Sequence, residues 1–203
     1  KNTGTIRAYG GGDGPEDWVG AYEIALDQMN WRNGVRLIIH MTDAPAHGHS
    51  YYGRNNHEEE NDKLAPLLQR CCSSGIKIVG MPIDEDYSRK SYEQAQIDYN
   101  SSSHSENSFK IQPLNPGTSY LSEYFRESMI SAVSSSLPKN SPFDIVYMID
   151  ATGSMSSYLK DAGEQSIIIS DELKRKIPYF DFHFGASQIN LLIPLQKISL
   201  SNI

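Results

Sequence analysis

Cysteine is nearly absent: Cys71 and Cys72 are the two in 203 residues, and they are neighbours. Adjacent cysteines rarely bridge each other, so no disulfide framework is expected within the chain. That tips the balance towards a reducing, cytoplasmic address without fixing one. Long apolar runs are absent too. None reaches the roughly 18 residues of a membrane span. The longest, such as Val35 to Ile39 around Arg36, are strand-sized. Basic charge is in deficit, with 18 Lys and Arg against 25 Asp and Glu and a net charge of −7. Nucleic-acid binders normally carry a basic patch or stripe, so that class is disfavoured. The chain opens at Lys1 with no initiator Met and no signal-like segment, and reads as a piece of a longer protein.

What is present is alternation. The length and the 38% of hydrophobic residues suit a single α/β domain. Trp18, Ala21, Tyr22, Ala25, Leu26 and Met29 recur at helical spacing, which predicts a helix from Asp17 to Asn30, with Pro15 as a start signal. Asn33-Gly34 marks a turn. Val35 to Thr42 reads as a buried strand, followed by a loop from Asp43 to Gly48. Tyr51 to Asn61 is polar and expected to be solvated. A helix carrying Leu64, Leu67 and Leu68 should stop near Gly75, and Ile76 to Pro82 should be a second buried strand. Between residues 84 and 108 only Tyr92 to Tyr99 suggests a helix. Phe109 to Leu114 reads as a short strand.

Ser119 to Leu137 is predicted as an amphipathic helix on Leu121, Phe125, Met129 and Val133. Ser134 to Pro142, rich in Ser and Pro, is the clearest linker. Phe143 to Ile149 is a third buried strand ending at Asp150. A long helix should run from about Ser156 to Ile177, stopped by Pro178. Tyr179 to Phe184 is strand-like, and the tail from Ser187 has no clear shape. Strands alternating with helices predict a Rossmann-like, doubly wound, mostly parallel sheet with helices on both faces.

Ligands of such sheets bind at the carboxyl ends of strands. Two predicted strands end in Asp. One continues Asp150-Ala-Thr152-Gly-Ser154-Met155, the other Asp43-Ala-Pro-Ala-His-Gly48. Alternate residues of the first turn can point the same way and offer one carboxylate and two hydroxyls. These are hard oxygen donors suited to Mg²⁺ or Mn²⁺.

Asp150-Ala-Thr-Gly-Ser-Met155 resembles the first segment of the metal ion-dependent adhesion site of von Willebrand factor A domains. Gly10-Gly-Gly-Asp-Gly-Pro-Glu-Asp17, followed by Gly20 and Ala25-Leu26, is similar to the second segment. His40-Met-Thr-Asp43-Ala-Pro-Ala-His-Gly48 is similar to the third. The pattern is most like the A domains that accompany alpha-kinase domains, although no alpha-kinase motif is visible. At the second segment many A domains have Thr three residues before a helix glycine. Here that place is Asp17, and Asp13 and Glu16 compete for the role. The resemblance implies one Mg²⁺ or Mn²⁺ held by Asp150, Thr152 and Ser154, with Asp17 and Asp43 completing the shell directly or through water. It further implies an open coordination position for an acidic residue of a protein partner.

The order of segments departs from the family, because Asp-x-Thr-x-Ser comes last instead of first. Residues 1–137 then correspond to the central and C-terminal part of an A domain, 138–142 to a linker, and 143–203 to an N-terminal part. Either the two parts pack as one circularly permuted domain or they belong to two tandem domains. Packing together is favoured, since each part alone leaves an open sheet edge. The expected function is cation-dependent protein binding. The alternative is a Mg²⁺-dependent enzyme or a regulatory part of an attached protein kinase. Plainer readings exist for each residue. Asp150, Thr152 and Ser154 could only cap a helix, and Asp43-Ala-Pro could be an ordinary turn. His47, His49 and His57 could ligate zinc, but with no Cys near and no His-Glu-x-x-His they are expected to be loop residues, with His47 bracing the Asp43 loop. Gly10-Gly-Gly-Asp-Gly lacks the Lys of a P-loop. No nucleophile–base pair is apparent, so no enzyme is expected.

Overall fold

The computed structural model describes residues 12–52, 57–83, 85–101, 108–112, 141–176, 178, 180–189 and 198–199. The predicted helix from Ser119 to Leu137 and most of the linker lie outside them. Period-two burial organises the rest. In β1 (Val35–Thr42), Val35, Leu37, Ile39 and Met41 enter one core while Ile38 enters the other. β2 (Ile76–Pro82) divides its side chains likewise, with Ile76 and Ile78 opposite Val79 and Met81. A strand buried on both faces needs helices on both faces. α1 (Trp18–Asp27), α2 (Leu64–Ser73) and α3 (Glu85–Asn100) supply one cover. α4 (Leu159–Lys176) supplies the other through Ala162 and Leu173.

β3 (Phe109–Ile111), β4 (Pro142–Asp150), β5 (Asp181–Ile189) and β6 (Ile198–Ser199) complete a six-stranded sheet of order β3-β2-β1-β4-β5-β6. The first five of these run parallel, and β6 pairs antiparallel with β5 at Gly185 and Ala186. This is the Rossmann-like α/β arrangement expected. Leu37 pairs with Ile145 and Met41 with Ile149, so β1 and β4, one from each part of the chain, share a ladder. Fully burying one Leu or Ile contributes about 1.5–3 kcal/mol, and the two cores contain many such residues.

Several local expectations need correction. Tyr51 is buried rather than solvated, and its hydroxyl donates to Asp98 at 2.5 Å. α3 runs more than two turns beyond the Tyr92–Tyr99 signal, because its buried face includes Ser88 and Ser91 beside Tyr92, Ala95 and Tyr99. Those serines hid the stripe from a hydropathy reading. Gly75, by contrast, closes α2 as expected, in the left-handed region at φ 72°. Cys71 and Cys72 are buried in α2 and form no disulfide. Among the described residues no helix is long and apolar enough to cross a membrane.

Arg32 clamps the amino edge of the sheet. Its backbone N–H donates to Asp144 Oδ2 at 2.6 Å and its Nε to Asp144 Oδ1 at 2.7 Å. Its Nη1 reaches Asp181 Oδ2 at 2.5 Å. One side chain thus ties the residues before β1 to β4 and β5.

Candidate metal centre

Strand order reverses between β1 and β4, which opens a crevice at their carboxyl ends. β4 ends on Asp150 and β1 on Thr42, so both following loops leave from this rim. Asp150 is fully buried. Its Oδ1 accepts from the Thr152 backbone N–H at 2.8 Å and from Thr152 Oγ1 at 2.7 Å. Its Oδ2 accepts from Thr42 Oγ1 at 2.7 Å. Thr152 Oγ1 lies 3.2 Å from Ser154 Oγ, which in turn donates to Asp43 Oδ1 at 3.1 Å. The Asp43 carboxyl lies close to that of Asp150. Asp150, Thr152, Ser154 and Asp43 therefore form one cluster, drawn from two strand ends more than a hundred residues apart in the chain.

Asp17 sits differently. It is the N-cap of α1, with Oδ1 accepting from Gly20 N–H at 2.6 Å. The acid of that loop that reaches the cluster is its neighbour Glu16, which is buried and hydrogen-bonded to Thr152. A backbone bridge places it there: Glu16 N–H donates to the Pro45 carbonyl at 2.8 Å, and Glu16 pairs in parallel with Ala46. Asp13 turns instead towards His47 and His57. Sequence spacing could not separate three acids so close together. The available signal was Asp17 three residues before Gly20 at a helix start, which is a capping geometry.

Electrostatics set this rim apart. Burial pushes the Glu16 carboxyl up to about 8, and the charge of Asp150 adds to it, while the Thr152 hydrogen bond pulls the other way. Burial also raises Asp150 above its ordinary range, opposed by the hydrogen bonds from Thr42 and Thr152. Glu16 Oε2 is buried without a hydrogen-bond partner. Among the described residues, no Lys, Arg or His makes an ion pair with Glu16 or Asp150. A cluster of carboxylate and hydroxyl oxygens with one orphaned acceptor fits a hard divalent cation. His40, on β1, has no such role. It is a core residue between Trp18, Tyr22 and Tyr92, and burial drives its pKa down to about 3.

No family model matches the chain. Over 76 residues it is 50% identical to an alpha-protein kinase, vwkA, of Dictyostelium discoideum. That stretch covers 35% of this chain and 12% of the kinase, so the chain spans a small part of its relative's length. An uncharacterized protein of Alicyclobacillus acidocaldarius is similar in structure, with 11% identity and a TM-score of 0.44 over 76% of this chain and 74% of that one.

Proposed function

We propose that the chain is a divalent-cation-dependent protein-binding module built as a von Willebrand factor A-type domain. Asp150, Thr152 and Ser154 would hold Mg²⁺ or Mn²⁺, with Asp43 and Glu16 completing the shell. Glu16 takes the place first assigned to Asp17, whose carboxylate caps α1. The observation that carries the reading is the convergence of buried acids and hydroxyls at the switch point, with Glu16 Oε2 left without a partner. When bound, the cation would offer an open coordination position to a Glu or Asp of a partner protein. The chain's own residues do the rest. Thr42 fixes the Asp150 carboxylate, and the Pro45 carbonyl fixes the Glu16 backbone, so the donors are arranged before a cation arrives.

The rotated order of segments accords with one composite domain, because β1 and β4 share a ladder. A module of this kind attached to a kinase is the second reading, favoured by the local identity to vwkA. It would then regulate or recruit for the kinase and perform no chemistry itself. Calorimetric titration of Mg²⁺ or Mn²⁺ into chelator-treated protein and into Asp150→Ala tests the cation site. Binding by the parent chain and none by the folded variant is expected. Equal affinity in both would sink it. Robust hydrolase turnover lost in Asp150→Ala would overturn the non-catalytic reading.

A further inference from the structure

Beside the rim lies a second group of different chemistry. His47 is 1% exposed, and its Nδ1 meets Glu60 Oε2 at 3.0 Å. A carboxylate only accepts, so this contact places a ring proton on Nδ1, and in the neutral ring the lone pair is then on Nε2. Nε2 is buried without a hydrogen-bond partner. It points at Asp13 Oδ1, 3.7 Å away. His57 repeats the arrangement: its Nδ1 faces Glu59 Oε1 at 3.4 Å and Glu60 Oε1 at 3.9 Å, while its Nε2 faces Asp13 Oδ2 at 3.4 Å. The two rings stack at 4.0 Å, which holds both Nε2 atoms towards the same carboxylate. One donor atom from each of Asp13, His47 and His57 lies within 4.8 Å of the others.

We propose that Asp13, His47 and His57 form a transition-metal site of the zinc type, distinct from the oxygen cluster at Asp150. The distances discriminate. A hydrogen bond from a ring nitrogen to a carboxylate spans about 2.7–3.2 Å. Ligand atoms on neighbouring corners of a zinc tetrahedron, with bonds near 2.0–2.2 Å, stand about 3.3–3.5 Å apart. The 3.4 Å from His57 Nε2 to Asp13 Oδ2 falls in the second range and the 3.7 Å from His47 Nε2 to Asp13 Oδ1 just beyond it, so the two rings face the two oxygens of one carboxylate. Two imidazoles and one carboxylate suit zinc better than Mg²⁺, which prefers oxygen throughout. Glu60 behind His47, and Glu59 with Glu60 behind His57, are the carboxylates that orient metal-binding histidines by taking the far ring proton. Three protein ligands leave a fourth position for water. A cation here would join the loop of Asp13, which leads into Glu16, to the loop of His47, which follows Asp43. It would thereby brace both loops of the rim without being part of its cation shell.

The proposal does not depend on the Asp150 cluster holding a cation. Its test is titration of chelator-treated chain with Zn²⁺ in excess Mg²⁺, repeated with Co²⁺ for its visible tetrahedral absorption. One Zn²⁺ per chain is expected, with a rise in melting temperature. His57→Ala, at a half-buried ring, and Asp13→Asn should each weaken Zn²⁺ binding at least about tenfold and abolish the cobalt spectrum, while Asp150→Ala leaves both intact. Circular dichroism confirms that each variant is folded. Stoichiometric binding that survives His57→Ala and Asp13→Asn would overturn the site. So would no Zn²⁺ binding by the parent chain, or binding abolished only by Asp150→Ala.

Discussion

The two ends of the β1–β4 ladder solve the same electrostatic problem in opposite ways. At the amino edge, Asp144 is buried and Asp181 exposed, and both meet the guanidinium of Arg32. At the carboxyl rim, Asp150 and Glu16 are buried among hydroxyls and further acids, with no ion pair among the described residues. Low local dielectric strengthens every such interaction, favourable or not. The amino edge is therefore a completed ion pair that joins distant parts of the chain. The rim stores repulsion that a cation could relieve. A structural site and a ligand site differ here less in composition than in whether the countercharge belongs to the chain.

The largest effect should come from breaking the completed pair. Arg32→Met leaves Asp144 buried without its countercharge, and should lower unfolding free energy by about 3 kcal/mol. Denaturant titration checks this, and a loss below about 1 kcal/mol would mean that the clamp is solvated.

Next is the pH response of the rim in chelator. The folded pKa of Glu16, about 8, lies above the 4.5 of an ordinary carboxyl, so the unfolded chain releases this proton first. The folded state is then favoured below pH 4.5 and loses stability as pH rises towards 8, by up to about 1.4 kcal/mol per pH unit. His40, held near 3 by burial instead of 6.5, works with the opposite sign. Stability contributed by its neutral ring is lost as pH falls from 6.5 to 3. Above pH 6.5 the His40 contribution is already complete, and the Glu16 response gives an expected fall of about 2 kcal/mol by pH 8. Glu16→Gln should flatten it. An equally steep fall in that variant would assign the effect to another group.

Asp17→Ala should cost about 1 kcal/mol, the usual worth of a helix N-cap, and should leave Mg²⁺ affinity nearly unchanged. A large loss of cation affinity with stability intact would return Asp17 to the rim. The smallest change is expected for Asp150→Asn in metal-free buffer. Removing a repelled buried charge offsets the weakened hydrogen bonds from Thr42 and Thr152, so stability should stay within about 1 kcal/mol of the parent. A loss of 3 kcal/mol would show that Asp150 is held by its hydroxyl partners in the way that Asp144 is held by Arg32.

Much of this fold was legible in residue order. Largely apolar stretches such as Ile76–Pro82 and Phe143–Ile149, interrupted by Lys77 and Asp144 alone and each bounded by polar turns, read as buried strands. The Asp-x-Thr-x-Ser turn after one of them announced oxygen chemistry, because those residue types offer little else at that spacing. These are local properties, decided by side-chain size, polarity and period. The first half of α3 escaped because buried serines interrupt its apolar face, and satisfying them depends on partners elsewhere, such as the Ala46 N–H and Tyr51 carbonyl bonded to Ser91.

Choosing among Asp13, Glu16 and Asp17 was beyond any local rule. The three share charge and neighbourhood, and their roles diverge only through contacts made across the fold. Asp17 meets the α1 amino end, Glu16 is carried by the Ala46 bridge to Thr152 and Asp150, and Asp13 faces the two histidines. The same holds for His47 and His57, which the chain separates by ten positions and the fold stacks ring on ring. It turns His47, expected to brace the Asp43 loop, to Glu60 and Asp13. Sequence determines which donors exist and roughly where each strand ends. Tertiary structure decides which donors share a cation, because coordination depends on distances of a few ångströms that residue spacing alone does not set.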